Sequence, residues 1–170
     1  PESLLRAHRV MLTDPPGPVY VCFDADLQEE TIVDLPDLPN VNRYVPPQPP
    51  LPDEDALEEL AERLVQSEYP VLVAEFLGRE PDSISALVEL SEALGAPVLD
   101  HGSRFNFPSN HPMDFTGAAG RVLPKADFIL GLDTPDLYRA LTTQDKATRE
   151  VAFRPQDGCE IAHISIFDLS

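Results

Sequence analysis

The chain has 170 residues, 42% of them hydrophobic, which leaves room for one domain with a substantial core and for little else. Its formal net charge of -18 argues against nucleic acid or an anionic membrane surface as a partner, because binding there would have to overcome like-charge repulsion. The acidic residues are spread along the chain rather than gathered in one tail, the pattern of a solvated acidic surface.

In chain order, "SLLRAHRVMLTDPPGPVYVCFDADLQEE" predicts a short helix carrying Leu4, Leu5 and Val10, a Pro-Pro-Gly turn, and a strand from Val19 to Phe23. Such a helix and strand need a sheet that the chain does not supply, so residues 1–27 are expected to be mobile or paired with a second copy. Five prolines between Pro46 and Pro52 then make a stiff, extended linker. Asp53 is placed to cap a helix of about four turns. Glu54 and Asp55 suit its first turn, and Ala56, Leu57, Leu60, Ala61, Leu64 and Val65 recur on one face.

"PVLVAEF" is a short apolar run, as expected of a strand buried on both faces. "SISALVELSEALG" repeats the helical signal over 83–94 with Ile84, Leu87, Val88 and Leu94, and Gly95 stands at the C-terminal cap. "APVLD" predicts the next strand. The crossover "DHGSRFNFPSNHPMDFTG", Asp100 to Gly117, follows. "DFILGLD" and "CEIAHISIF" read as two further strands, with "PDLYRALTTQDKA" between them as a helix. Short apolar strands alternating with helices predict an α/β fold, a Rossmann-like doubly wound parallel sheet. Ligands of such folds bind beyond the carboxyl ends of the strands, here the loops Ala74 to Asp82, Asp100 to Gly117 and Asp133 to Pro135.

Specific chemistry is sparse. No GxGxxG follows the first central strand, where Gly78 stands alone, and no GxxxxGK[ST] occurs. Free N–H groups at the start of the 83–94 helix permit phosphate binding with help from Arg79 and Arg104; the plainer alternative is a strand-to-helix turn with two solvated arginines. His101, His111 and His163 lack partners at motif spacing. His163 alternates with isoleucines and reads as a core or edge residue, and His8 lies on a surface helix. Ser103 and Ser109 have no nucleophile-elbow context. The carboxylates follow no EF-hand spacing. Cys22 and Cys159 show no CxxC spacing and no histidine placed as a metal partner, so two reduced thiols in a cytosolic, cytoplasmic protein are expected. No signal sequence opens the chain, and no apolar run approaches the roughly 20 residues of a membrane span. The start at "PESLLRAHRV", without Met, suggests a piece of something longer.

The order of these segments resembles the middle of a thiamine-diphosphate-dependent enzyme of the acetolactate synthase type. The resemblance is carried by "PPGPVYVCFDADLQEE", the Pro-rich linker, "YPVLVAEFLGREPDSISALVELSEALGAPVLDHGSRFNFPSNHP", "GAAGRVLPKADFILGLD" and "IAHISI". Gly102, Pro108, His111 and Pro112 match the family's G-x-x-x-x-P-x-x-H-P loop, and Ala126 to Gly131 its AD-hydrophobic-G strand. It implies that 1–45 is the tail of the pyrimidine-binding domain plus the start of a linker, 46–52 the linker, and 53–170 a central domain incomplete at its C-terminal end.

In that family the crossover lies along bound FAD, along ADP, or along nothing. Gly78, Arg79, Gly102, Arg104 and His111 are therefore the residues of a nucleotide pocket, if one exists. The catalytic glutamate and the GDG segment that holds magnesium and diphosphate belong to the flanking domains. The resemblance thus implies a parent that is a transferase or lyase, a carboligase or decarboxylase of 2-keto acids or similar substrates. That parent would use thiamine diphosphate and Mg held outside this chain. This piece would be non-catalytic, with the parent's other domains as partners in a homo-oligomer and no nucleic acid or membrane. Two departures argue against flavin: the Gly-poor "AEFLGRE", and Ser165 and Phe167 where relatives place acidic groups. The competing reading is a free-standing Rossmann-like nucleotide-binding or regulatory domain.

Overall fold

The computed structural model describes residues 1–34, 37–102 and 104–167. The chain divides into two units, Pro1–Leu51 and Pro52–Ser170.

The first unit is built from local hydrogen bonds. Helix α1 (Glu2–Leu12) ends where the Thr13 hydroxyl donates to the Arg9 carbonyl at 2.7 Å. Asp24 caps α2 (Ala25–Glu29) through the Asp26 amide. Asn40 caps a 3-10 turn, Val41–Tyr44, through the Asn42 amide. The strand expected over Val19–Phe23 does not form: these residues join no sheet. Backbone N–H and C=O groups make a strand only against a partner, and the described residues of the unit offer none. Among its described residues no side chain is buried.

The second unit holds the core. Asp53 caps α3 (Glu54–Gln66), accepting from the Ala56 amide at 3.1 Å. Strand β1 (Pro70–Ala74) is buried along its whole length. Helix α4 (Pro81–Leu94) starts two residues before the sequence pattern suggests, because Pro81 suits the first helical turn. It ends at Gly95 with φ +63°, the left-handed cap that glycine adopts without cost. There follow β2 (Val98–Asp100), the short α5 (Ala119–Val122), β3 (Phe128–Leu132), α6 (Leu137–Leu141), β4 (Thr142–Gln144), β5 (Val151–Phe153) and β6 (Glu160–Ile164).

Four strands form one parallel sheet in the order β2-β1-β3-β6. The period-two alternation of the strands divides the core. Val71, Val73, Leu99 and Ile129 meet Val122, Leu123, Leu137 and Leu141 on one face. Leu72, Ala74, Val98, Phe128 and Leu130 meet Leu64, Leu87 and Phe107 on the other. This is the α/β, Rossmann-like doubly wound sheet that the sequence predicts.

A second element also differs from its expectation. The helix expected across "PDLYRALTTQDKA" stops at Leu141, and Thr142–Gln144 pairs antiparallel with Val151–Phe153. β-Branched Thr142 and Thr143 favour extended backbone. Asp145 closes the connecting turn by accepting from the Ala147 and Thr148 amides, both at 2.8 Å.

Candidate functional site

The sheet order makes β1 the origin of one crossover, to β2, with β3 on its other side. The crevice between the carboxyl ends of β1 and β3 is therefore the topological switch point, where open α/β sheets bind ligands. Its geometry follows from three chain segments.

After β1 the chain turns through a 3-10 segment, Leu77–Arg79. A Cβ built on Gly78 would lie 1.7 Å from the Phe105 carbonyl oxygen, so only glycine lets this turn meet the crossover. Arg79 Nη2 lies 2.5 Å from Asp133 Oδ2, with the two side chains 20% and 7% exposed. That oxygen is buried and, among the described residues, receives no well-directed hydrogen bond, so the contact is an ion pair held off the ideal axis. Asp133 has φ +53°, and its backbone ties β1 to β6, accepting from the Phe76 amide at 3.1 Å and donating to the Ile164 carbonyl at 2.7 Å. The rings of Phe76 and Phe167 meet edge-on with centroids 5.3 Å apart.

The crossover after β2 is organised by Asp100. Its Oδ1 accepts from the Gly102 amide at 2.9 Å and from Asn106 Nδ2 at 2.7 Å. Its Oδ2 accepts from the amides of Asn106 and Phe107 at 3.1 and 3.3 Å. Fully buried Asn106 also donates to the Arg104 carbonyl and accepts from the Gly78 amide at 3.0 Å. Gly102, with φ +88°, supplies the left-handed turn. The chain then runs back along β2, where Val98 is bracketed by the Met113 carbonyl and the Phe115 amide, each at 2.9 Å.

Four of the five expected pocket residues, Gly78, Arg79, Gly102 and Arg104, thus lie on the loops at the carboxyl ends of β1 and β2. Of these, Arg79 is engaged by Asp133 and Arg104 is exposed. His111 is elsewhere. Its Nε2 lies 3.2 Å from Glu92 Oε1 on the last turns of α4, its Nδ1 accepts from the Met113 amide at 3.2 Å, and its ring meets Phe107 edge-on. That places it beside the start of β2, at the opposite end of the sheet.

His101 donates its amide to the Ala74 carbonyl, and its Nδ1 lies 3.8 Å from Glu75 Oε2. Ser109 is exposed, and Ser103 lies outside the described residues. His163 faces Gly131 across the β3–β6 ladder. Burial pushes its pKa below the ordinary value, against the backbone hydrogen bond at Thr134 and the charge of Asp133, and its buried Nε2 has no hydrogen-bond partner among the described residues. Burial, with Asp127 and Glu160, pushes the Cys159 thiol up, the opposite of an activated nucleophile.

Two features of this crevice weigh against a nucleotide. The Gly78 turn is closed by the Phe105 carbonyl. The α4 N-terminus carries Glu80, Asp82 and a proline without an N–H, where a phosphate needs free amides and no competing carboxylates. The polar residues that organise the crevice, Asp100, Asn106 and Asp133, were not singled out from the sequence. The D-x-G spacing of Asp100 and Gly102 is the signal that would have marked the first, since Asp accepts from the amide two residues on. Among the described residues, no group of three or more His, Cys, Asp or Glu is disposed to hold a metal ion, and no helix is long and apolar enough to cross a membrane.

No protein-family model matches the chain. Similar sequences include 3D-(3,5/4)-trihydroxycyclohexane-1,2-dione hydrolases. The one from Bacillus velezensis is 31% identical over 144 residues, covering 78% of this chain and 22% of the hydrolase. The one from Listeria innocua is 29% identical over 172 residues, covering 91% and 24%. Among solved structures, an X-ray structure from Mycobacterium smegmatis, provisionally described as a thiamin diphosphate-dependent enzyme, superposes with a TM-score of 0.67 at 19% identity. The superposition covers 96% of this chain and 31% of that one. The chain therefore spans less than a third of the proteins it matches, and over that span it has the fold of part of a thiamin diphosphate-dependent enzyme structure and a sequence similar to part of these hydrolases.

Proposed function

We propose that the chain is a piece of a thiamine-diphosphate-dependent enzyme. In this reading residues 1–45 are the tail of its pyrimidine-binding domain with the start of the linker, 46–52 the linker, and 53–170 most of its central domain. The observation that carries the reading is the joint likeness in sequence and fold over most of the chain. The parent acts on compounds with two adjacent carbonyl carbons: 2-keto acids, as in acetolactate synthase-like carboligases and decarboxylases, or a cyclic 1,2-dione, as in the name of the similar hydrolases. The cofactor, when bound, supplies the carbanion that attacks such a carbonyl. This chain's own residues neither bind it nor hold its magnesium.

The central domain is then a spacer that packs between catalytic domains. At its switch point Arg79 is neutralised by Asp133, and the rings of Phe76 and Phe167 pack against each other edge-on. This favours the structural role over a nucleotide cradle formed by Gly78, Arg79, Gly102 and Arg104, and His111 is engaged by Glu92 and Phe107 instead.

Two measurements test the reading. The purified chain, supplied with thiamine diphosphate, magnesium and pyruvate or a cyclic 1,2-dione, is expected to consume neither substrate. The complete protein, with flanking sequence that includes a GDG segment, is expected to consume one of them. A complete reading frame without such flanks would overturn the assignment. Calorimetric titration with FAD and ADP is expected to give the same result for the unsubstituted chain and for R79A, and binding at about 1 mM or tighter that R79A loses would make the crevice a working nucleotide site.

A further inference from the structure

Unit 1 has three basic side chains besides His8: Arg6, Arg9 and Arg43. All three line one open cleft of about 530 Å³ between α1 and the Val41–Tyr44 turn, together with Val10, Thr13 and Tyr44. Bringing like charges together raises their mutual repulsion, and the unit has Glu2, Asp14, Asp24, Asp26, Glu29, Glu30, Asp34 and Asp37 with which to neutralise them. It uses only one. Glu2 lies 3.9 Å from Arg6 in a largely exposed pair, and among the described residues no carboxylate lies within 4.0 Å of Arg9 or Arg43. The negative end of the α1 dipole accounts for Arg9 in its last turn, but not for Arg43, which reaches the cleft from another segment.

We propose that this cleft binds a small organic phosphate carrying at least two negative charges. Guanidinium forks match phosphate oxygens geometrically and remain charged at all working pH values. Arg6 and Arg9 reach the cleft from one helix and Arg43 from the facing turn, so the cations approach a common anion from two sides. The cleft has more room than a phosphate group needs, and Val10 with the Tyr44 ring supplies an apolar wall for an organic part. The site lies wholly within residues 1–51 and does not rest on the function proposed above.

The test is calorimetric titration of the full chain with inorganic pyrophosphate, inorganic phosphate and phenyl phosphate. Pyrophosphate is expected to bind with Kd below about 1 mM, and phenyl phosphate more tightly than inorganic phosphate. The double variant R9A/R43A is expected to weaken pyrophosphate binding by about tenfold or more. R9K/R43K, which keeps the charge and loses the fork, is expected to fall between. Arg63, already paired with Glu59 and Glu160 in the other unit, provides the control, and R63A is expected to leave binding unchanged. Absence of binding at about 10 mM pyrophosphate would overturn the proposal. So would equal binding by R9A/R43A, or equal binding of phenyl phosphate and phosphate. Should R9A/R43A lose its far-UV helix signal, the lysine variant carries the comparison, and affinity there equal to the unsubstituted chain would overturn it as well.

Discussion

Gly78 shows how a single position holds the crossover. A methyl group at Gly78 would sit 1.7 Å from the Phe105 carbonyl, backbone against backbone, so it cannot be relieved by a rotamer change. Gly78→Ala is expected to cost about 3 kcal/mol or more in urea unfolding, and a loss below about 0.5 kcal/mol would show that the loop yields. His163 makes a pH-dependent contribution. Burial holds its folded-state pKa below the ordinary 6.5, so the unfolded chain takes up a proton first as the pH falls. Its contribution is present in full above about 6.5 and is lost as the pH drops below that value through the folded-state pKa. His163→Leu is expected to flatten the stability–pH curve in that window, and an unchanged slope would rule the histidine out as its source.

At the scale of elements, two carboxylates join segments far apart in sequence or at a helix start. Asp53 accepts from the Ala56 amide at the head of α3, and Asp53→Ala is expected to cost about 1 kcal/mol. Asp127, just before β3, clasps the α3–β1 connection: its oxygens accept from the Ser67 hydroxyl and from the amides of Glu68 at 2.7 Å and Tyr69 at 2.9 Å. Burial opposes its ionisation, but these bonds together outweigh burial and hold its pKa below 3.8. Asp127→Ala is expected to destabilise the unit by about 2 kcal/mol. Since the folded-state pKa is depressed, Asp127's contribution stands above about pH 3.8 and disappears as the pH falls through the folded value, so the variant's deficit should shrink in strong acid. A deficit constant from neutral pH to strong acid would mean that packing, not the carboxylate, is responsible.

At the scale of the molecule the two units differ in what stabilises them. Residues 52–170 bury apolar side chains on both faces of a parallel sheet. Residues 1–51 bury none among those described, and helices without an apolar contact are marginal in water. Hydrogen exchange is expected to be markedly faster across residues 1–51 than in β1 and β3, which should be strongly slowed. Protection in α1 equal to that of β1, in a dilute monomeric sample, would show that the first unit folds by itself.

The sequence by itself determined the elements whose signals are local. The Asp53 cap, the Gly95 stop, the all-apolar runs of β1 and β3 and the Pro-rich segment are readable because capping, φ preference and hydrophobic period act within a few residues. It also determined the α/β class, since parallel buried strands and amphipathic helices leave few ways to cover both faces. Where a signal needed a distant partner, only the tertiary structure could decide. The extended Val19–Phe23 found no strand to pair with, and Thr142–Gln144 left the helix to pair with Val151–Phe153. The crossover places Gly102 and Arg104 at one end of the sheet and His111 at the other, although nine residues or fewer separate them in sequence. Arg79 looked like a free cation from its neighbours. That Asp133 neutralises it was decided by the sheet order, which sets the ends of β1 and β3 side by side.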